Sequence, residues 1–404
     1  MTRRLFNIAM VTDFYYPSTG GIETHIRYLS KELIKKGHKV IIITHTSTNM
    51  EECEEFKDLK VYALDLPIVA MNTTFPTIFS NFQIYKEIFA EEEIDIVHGH
   101  QSMSNLCLEG IFHGRTLNLK TVLTEHSLFE VRPFENIVVN KLAKFILKTV
   151  DKCICVSQTS KVNLNKRTEI SLEKITVIQN GVINKKFYPS QTRKRGKNVI
   201  VMSRLVYRKG IDLLVGAIPI ICAKDKDIKI YIAGDGPKLD AIQQAIDDND
   251  LSERVTVMGE LKHHEAGDFL RTGDVFLNTS LTETFCMAIL EASMCGLHVV
   301  STNVGGIHEV LPDKLITFAK PTSEDLALKV VKEVNNFNRK VDSEMYSFLR
   351  DKYDWTRIAE KTERLYYEIE TKEMTFIERL RLYDHIFARF LIILEYVWLY
   401  CLSN

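Results

Sequence analysis

The stretch NIAMVTDFYYPSTGGIETHIRYLSKELIKKGHKVIIIT, residues 7–44, holds two strand patterns with a helical pattern between them. Its first and last six residues are mostly apolar, as is typical of strands covered on both faces. Between them, apolar residues recur at helical spacing from Ile26 to Leu33, and Gly37 stands where the helix should end. Strand, helix and strand in this order form a βαβ unit, which predicts a parallel sheet.

The same alternation continues along the chain. Strand patterns recur as KVYAL, DIVHGH, TVLTEH and KCICVS, and later as NVIVMSR, IKIYIAG, VTVMGE, DVFLNTS and LHVVST. The polar, basic stretch SQTRKRGKN at 190–198 separates the two series and is typical of a linker. We therefore predict an α/β protein with Rossmann-like domains at 1–190 and 191–353 that face each other across a crevice. Because ligands of such sheets bind at the carboxyl ends of the strands, the crevice is the expected active site.

The end of the chain has a different pattern. Residues 354–372 are predicted to form a long helix that crosses back to the first domain, and 373–404 to form an apolar tail. Arg389 and Glu395 interrupt its apolar runs, whereas a helix needs about 20 apolar residues to cross a bilayer. We predict a C-terminal apolar helix that lies in a membrane interface or packs against a partner, with a short membrane span as the alternative.

Composition excludes several classes of protein. The 404 residues are 45% hydrophobic and 26% charged with a net charge of -1, which is typical of a folded protein of two or three domains. The near-neutral charge argues against nucleic-acid binding through a general basic field. The eight cysteines show no Cys-x-x-Cys spacing, which favours a reducing compartment over a disulfide framework or a zinc site.

Three loops that follow predicted strands suit a diphosphate. A glycine pair ending at Gly21 precedes the first helix, where backbone amides favour anions. Arg204 and Lys209 follow the first strand of the second domain, and Gly234 and Gly236 follow the next strand in AGDGPK. Cations at strand ends can neutralise phosphate. The alternatives are a plain tight turn and a solvated basic loop.

The stretch SLTETFCMAILEASMCG leads from a strand into a helix and carries two glutamates. Glu283, ahead of the helix, can accept hydrogen bonds from sugar hydroxyls. Glu291 lies about 12 Å further along at 1.5 Å per residue, where it can hold a ribose diol. The amides expected to face a phosphate or sugar oxygen belong to Phe285, Cys286 and Met287. The alternatives are a helix N-terminal charge and a salt-bridge partner.

Histidines also follow strands of the first domain. His126, in TEHSLF, can bind a sugar hydroxyl or stabilise charge at a reacting carbon, although a lone histidine is more often structural. HGHQ places His98 and His100 at another strand end, a spacing that resembles a metal site. Since no third ligand occurs at a suitable spacing, we predict no bound metal.

With these residues together, the chain resembles the family-4 retaining glycosyltransferases of the two-Rossmann-domain (GT-B) fold. Six stretches carry the resemblance, which runs from Asn7 to Lys372: MVTDFYYPSTGGIETHI, TEHSLF, CVSQTSK, SRLVYRKGIDLL, FLNTSLTETFCMAILEASMCGL and VVSTNVGGIHEVLP. They are similar to the members that transfer N-acetylglucosamine from UDP-N-acetylglucosamine to phosphatidylinositol, the first step of glycosylphosphatidylinositol (GPI) anchor biosynthesis. This resemblance implies retention of configuration and no metal cofactor.

The resemblance also assigns roles to residues. Arg204 and Lys209 would hold the diphosphate and Glu291 the ribose, while Glu283 would contact the sugar. His126 and Gly21 would lie near the transfer site. The mechanism it favours is front-face attack with the donor phosphate as base, so that the protein acts by positioning and electrostatics.

Partners and location follow from the same resemblance. It implies other subunits of a GPI-GlcNAc transferase complex, a membrane surface, and the cytoplasmic face of the endoplasmic reticulum. The pattern at 136–152 adds a helix with Lys141, Lys144, Lys148 and Lys152 on one stripe, which suits anionic lipid. A core helix with a solvated lysine face is the alternative.

Two other functions stay open at this point. One is a related enzyme with another donor or acceptor, such as a phosphatidylinositol mannosyltransferase or a soluble sugar transferase. The other is a non-catalytic scaffold subunit that kept the fold. The chain also departs from the family pattern at His308, where proline is expected, and in a tail that carries charges.

Overall fold

The computed structural model describes residues 4–16, 20–46, 59–70, 73–74, 81–129, 134–190, 196–262, 264–336, 343–370 and 373–401. The chain divides into two compact units. Unit 1 is Met1–Gln179 with Ile358–Asn404, and unit 2 is Asn180–Arg357. Unit 2 thus begins before residue 191, and residues 191–195 of the expected linker lie outside the described residues.

Unit 1 is built on a parallel sheet of seven strands. The strands of the whole unit, two of which lie outside this sheet, are β1 (Asn7–Val11), β2 (Lys39–His45), β3 (Lys60–Leu64), β4 (Ile68–Ala70), β5 (Thr73–Thr74), β6 (Ile96–His100), β7 (Lys120–Glu125), β8 (Lys152–Cys155) and β9 (Ile175–Val177). Its first helices are α1 (Gly21–Lys35), α2 (Phe82–Glu91), α3 (Asn105–Thr116), α4 (Phe134–Leu147) and α5 (Gln158–Thr168). The sheet has the order β3-β2-β1-β6-β7-β8-β9, and β4 pairs with β5 separately.

The predicted βαβ unit is confirmed. Strands β1 and β2 pair in parallel, and Ile26 and Leu33 of α1 are buried. The helix begins at Gly21, slightly earlier than its apolar pattern. Gly37 has a φ of 96°, a left-handed conformation that glycine adopts easily and that ends the helix.

Unit 2 repeats this design with six parallel strands in the order β12-β11-β10-β13-β14-β15. Its strands are β10 (Asn198–Met202), β11 (Lys229–Ala233), β12 (Val255–Gly259), β13 (Val275–Asn278), β14 (His298–Thr302) and β15 (Ile316–Ala319). Its helices are α6 (Ile211–Lys224), α7 (Leu239–Asp248), α8 (Ala266–Arg271), α9 (Met287–Met294), α10 (Ser323–Asn335) and α11 (Ser343–Lys352). The main core lies between this sheet and helices α6, α7 and α10.

Three helices complete the chain: α12 (Trp355–Glu368), α13 (Phe376–Arg381) and α14 (Ile386–Cys401). From Ile358 onward they belong to unit 1, as the predicted crossing helix requires. On α12, Glu363 lies 3.0 Å from Nε2 of the buried His38, and the Tyr366 hydroxyl lies 2.6 Å from Nδ1 of His98. These buried polar contacts tie α12 to strands β2 and β6.

Helix α14 is apolar on the side that faces away from unit 1. On its inner side, the carboxylate of Glu395 lies 2.7 Å from Nδ1 of His113 on α3, and both side chains are fully buried. The large hydrophobic side chains that α14 exposes are Ile386, Phe387, Phe390, Ile393, Val397, Trp398 and Tyr400. Within the described parts of the chain, no helix has the length and apolar character needed to cross a membrane.

Candidate active site

The loops that carry the predicted donor residues share one edge of the unit 2 sheet. Strand β10 lies between β11 and β13, and all three are parallel. Their carboxyl ends therefore meet at the same edge. Arg204 and Lys209 follow β10, Gly234 follows β11 and Glu283 follows β13. Residues that are far apart in the sequence thus lie on neighbouring loops.

Lys209 and Glu283 form an ion pair at this edge. The Lys209 ammonium group donates to the Glu283 carboxylate, which also accepts from the Ser280 hydroxyl at 2.9 Å. Burial lowers the pKa of Lys209, but the Glu283 carboxylate outweighs this effect and the net pKa is raised. The sequence analysis assigned these residues to separate parts of the donor, whereas the structure holds them as one unit.

A second arginine adds to the positive charge. Arg208 precedes Lys209, and its pKa is lowered by burial and by the nearby charge of Arg204. The loop after β10 thus carries three cations, of which Lys209 pairs with Glu283, and this leaves positive charge suited to a diphosphate. Sequence reasoning missed Arg208, although YRKG shows it beside Lys209.

Gly234 and Gly236 have a structural reason to be glycine. Their φ angles are 137° and 151°. A Cβ atom at Gly234 would lie 1.9 Å from the carbonyl oxygen of Ser203, and one at Gly236 would lie 2.6 Å from that of Leu205. These glycines let the loop after β11 pack directly on the loop that carries Arg204. Their part in phosphate binding stays a prediction.

The start of α9 offers backbone amides rather than side chains. Phe285 is buried with its ring 5.7 Å from that of Tyr353. Burial, with the charge of Glu283, raises the pKa of the Cys286 thiol to about 12, so the thiol stays protonated. Among the described residues, none accepts a hydrogen bond from the backbone amides of Phe285, Cys286 or Met287. These amides are available to an anion.

Glu291 is the second carboxylate of this segment. It is partly buried on α9, and burial raises its pKa to about 7 although the charge of Lys186 acts in the opposite direction. A partly buried carboxylate of this kind can accept the two hydroxyls of a diol.

In unit 1, His126 belongs to a cluster of histidines. His98 and His100 lie on the same face of β6, with stacked rings 4.4 Å apart. Nδ1 of His100 lies 3.2 Å from Nε2 of His126, and the ring of His25 on α1 lies 4.7 Å from that of His126. The sequence analysis found no third partner for the HGHQ pair, because His25 is distant in the chain and lies on a helix.

Burial keeps the imidazoles of His98, His100 and His126 neutral. It lowers the pKa of His98 to about 3, and lowers the pKa of His100 and His126 well below the usual value, with neighbouring histidines adding to the effect. His98 is held between Tyr366 and Thr124, each at 2.6 Å, and is therefore structural. His126 can act as a neutral hydrogen-bonding group.

Gly21 is the first residue of α1, the helix that carries His25. Gly20 before it is extended, with a φ of -179° that any residue adopts. The preceding residues 17–19 lie outside the described residues. The structure therefore places Gly21 at a helix N-terminus, as predicted, and its contact with a ligand stays a prediction.

Backbone strain occurs beside both groups of candidate residues. Six described residues other than glycine have positive φ, and four of them end helices: Glu93, Asn118, Glu169 and Asp250. The other two are Gln101 (φ 74°), after the His100 strand, and Cys286 (φ 66°), at the start of α9. The Gln101 side chain accepts a hydrogen bond from the His126 amide at 3.3 Å. Strain at such positions is typical of functional sites.

The strain at Gln101 predicts an unusual order of stability for two substitutions. Gln101→Gly and Gln101→Ala both remove the side-chain hydrogen bond, but only glycine adopts this φ freely. We expect the glycine variant to be more stable than the alanine variant by roughly 1 kcal/mol. Urea unfolding measures the difference. The control is the pair Asn249→Gly and Asn249→Ala, at a position where φ is -117°. If the glycine and alanine variants differ in stability in the same way at both positions, the assignment of strain to Gln101 is contradicted.

The raised pKa of Glu291 predicts a pH-dependent effect of Glu291→Gln. Between pH values of about 4.5 and about 7, the folded wild type holds one more proton than the unfolded chain. Wild-type stability relative to the variant therefore falls as pH rises through this range, by at most roughly 1.4 kcal/mol per pH unit. Urea unfolding from pH 5 to pH 8 measures this, with the exposed Glu253→Gln as control. Parallel curves for wild type and Glu291→Gln would contradict the prediction.

Known proteins resemble this chain over most of its length. Residues 19–185 match the family Glycosyltransferase Family 4, and residues 183–342 match Glycosyl transferases group 1. The phosphatidylinositol N-acetylglucosaminyltransferase gpi3 subunit of Schizosaccharomyces pombe is 41% identical over 93% of this chain and 83% of its own. A phosphatidylinositol N-acetylglucosaminyltransferase subunit of Homo sapiens is 41% identical over 90% of this chain and 76% of its own.

Solved structures match the fold. A glycosyltransferase from Rickettsia africae superposes with a TM-score of 0.74 at 20% identity, covering 91% of this chain and 99% of that one. Anabaena Alr3699/HepE, solved in complex with UDP and glucose, gives 0.72 at 17% identity, covering 90% and 100%. This chain is therefore a GT-B glycosyltransferase that belongs to the same family as the phosphatidylinositol N-acetylglucosaminyltransferase subunits of Schizosaccharomyces pombe and Homo sapiens.

Proposed function

We propose that this chain transfers N-acetylglucosamine from UDP-N-acetylglucosamine to the inositol 6-hydroxyl of phosphatidylinositol with retention, the first step of GPI anchor biosynthesis. The names of relatives at 41% identity support the sugar and the acceptor. The observation that carries the donor site is the Lys209–Glu283 ion pair beside Arg204 and Arg208, with Glu291 on the following helix.

The proposed donor site divides the nucleotide sugar among these groups. Arg204 and Arg208 donate to the diphosphate, and the backbone amides at the start of α9 donate to another of its oxygens. Lys209 bridges to the diphosphate because an ammonium group has three donors, of which Glu283 uses one. Glu283 keeps acceptor capacity for a sugar hydroxyl, and Glu291 holds the ribose diol.

The candidate side chains do not supply a nucleophile for the transfer step. The Cys286 thiol stays protonated, and His126 is neutral, which favours hydrogen bonding to the sugar over a permanent positive charge. We propose that the departing phosphate of UDP takes the proton of the attacking hydroxyl on the same face, which retains configuration. No metal cofactor is needed, because the cations supply the charge that stabilises the departing diphosphate.

Calorimetric binding of nucleotide sugars without added metal tests the donor site. We expect UDP-N-acetylglucosamine to bind in preference to UDP-glucose and GDP-mannose. Arg204→Ala should weaken binding roughly ten- to hundredfold, as expected for the loss of a hydrogen bond to a charged group. Lys229→Ala, at the opposite end of β11, is the control and should bind normally.

The other outcomes favour the alternatives. Preference for GDP-mannose would support a mannosyltransferase. Absence of donor binding in a folded protein would support a non-catalytic scaffold or an enzyme that requires its partners. Binding that is unchanged in Arg204→Ala would contradict the donor site while leaving the reaction open.

We further propose that unit 1 rests on the cytoplasmic face of the endoplasmic reticulum membrane, where the lipid acceptor lies. Lys141 and Lys144 of α4 and Lys148, which follows the helix, are exposed, and the Lys148 ammonium group lies 5.4 Å from the centre of the Tyr383 ring, just before α14. The basic stripe thus lies near the start of α14, the helix with the exposed apolar side. The seven described cysteines are free thiols, which supports a reducing compartment.

Other subunits are the second expected partner. Both relatives are named as subunits, which supports a GlcNAc transferase complex. We propose that such subunits contact the tail next to the membrane.

The bounds of α4 correct one detail of the sequence analysis. The helix ends at Leu147, and Lys152, predicted to share its lysine stripe, lies in β8.

Flotation of the full chain with phosphatidylserine–phosphatidylcholine vesicles tests the membrane surface. Reversal of Lys141, Lys144 and Lys148 to glutamate should lower binding about a hundredfold, since each lysine contributes roughly 1 kcal/mol near an anionic surface. The matched control reverses Lys224, Lys226 and Lys229, which are exposed on unit 2. Equal losses in both triple variants would contradict docking through α4.

A further inference from the structure

We propose that His25, His100 and His126 bind a divalent transition-metal ion of the zinc class, and that an ion bound there inhibits glycosyl transfer. The inhibition rests on the proposed function, because it assumes that His126 serves the transfer step. Binding of the ion does not depend on that function. The ion itself has no role in the reaction as proposed, which needs no metal.

The geometry of the three imidazoles suits such an ion. One ligand-capable nitrogen of each lies within 4.8 Å of the other two. The distance of 3.2 Å between Nδ1 of His100 and Nε2 of His126 is close to the roughly 3.4 Å between two nitrogens of a tetrahedral zinc site. The third nitrogen, from His25, reaches the same spacing by a side-chain shift of at most about 1.5 Å.

The ligands come from three rigid elements. His25 lies on α1, His100 ends β6 and His126 follows β7. His25 and His100 are buried, at 2% and 0% exposure, so an ion there is shielded from water. Nε2 of His100 faces the Met10 sulfur at 3.3 Å, which leaves Nδ1 for the ion. Ligands that are fixed by their surroundings bind metal with less loss of entropy.

The donor set selects the class of ion. Neutral imidazoles suit zinc, copper, nickel and cobalt, whereas magnesium and calcium require oxygen ligands. Three protein ligands leave the fourth tetrahedral position for water. In the bound state Nε2 of His126 is a metal ligand and no longer a hydrogen-bonding group, which is the physical reason to expect inhibition.

Cobalt provides a readout that is independent of activity. We expect the full chain to bind one Co²⁺ with the strong visible absorption of a tetrahedral nitrogen site, and Zn²⁺ to displace it. His25→Gln should weaken Co²⁺ binding about a hundredfold or more, since even outer-sphere changes cost ten- to hundredfold. His308→Gln, with a side chain 54% exposed, is the control and should bind normally.

Each other outcome contradicts a defined part of the proposal. If folded wild type, checked by thermal unfolding, shows no cobalt spectrum, the site does not exist. If His25→Gln binds cobalt as tightly as wild type, other ligands hold the ion. If Zn²⁺ binds without slowing transfer, the inhibitory role is wrong. If metal-free protein transfers no sugar, only the proposed function is contradicted, because the cobalt spectrum does not require activity.

Discussion

Parallel pairing of the strands is the constraint on which both groups of functional residues depend. In each large sheet every strand runs in the same direction, so all carboxyl ends lie at one edge. Loops from neighbouring strands must therefore pack on each other. In unit 2 this forces the loops after β10 and β11 together, and Gly234 is the residue that permits it. In unit 1 it brings the end of β6 beside the end of β7, and so His100 beside His126.

Charge is handled differently at the two glutamates of unit 2. Glu283 is partly buried and is balanced at once by Lys209, so that its charge costs little and its position is fixed. At Glu291, burial outweighs the charge of Lys186 and raises the pKa to about 7. An ion pair orients Glu283, whereas the hydrogen-bonding capacity of Glu291 is proposed to serve a ligand. The same short segment therefore holds one positioned and one available carboxylate.

Much of the fold could be predicted because it follows from periodicity. The buried strands of both sheets are nearly continuous apolar runs, and the residues after them are the polar groups of the site. Strand β9 was missed because it has only three residues, and β15 lacks a distinct pattern. His25 could not be linked to His126 from spacing, because a parallel sheet brings together residues that are far apart in the chain. The left-handed backbone of Cys286 is likewise a product of packing, since cysteine has no preference for it.

The tail shows why polarity alone predicts a helix but not its orientation. In a soluble protein, a surface helix turns its apolar side inward and its charges outward. Helix α14 does the reverse: Glu395 is buried, and Phe390 and Trp398 are exposed. His113 offsets the burial of Glu395 through a contact of 2.7 Å, which fixes the helix in this orientation. The exposed apolar side then remains costly in water, and the proposed contact with a membrane removes that cost. Glu395, one of the two charges that argued against a membrane span in the sequence, is thus the group that presents the apolar side outward.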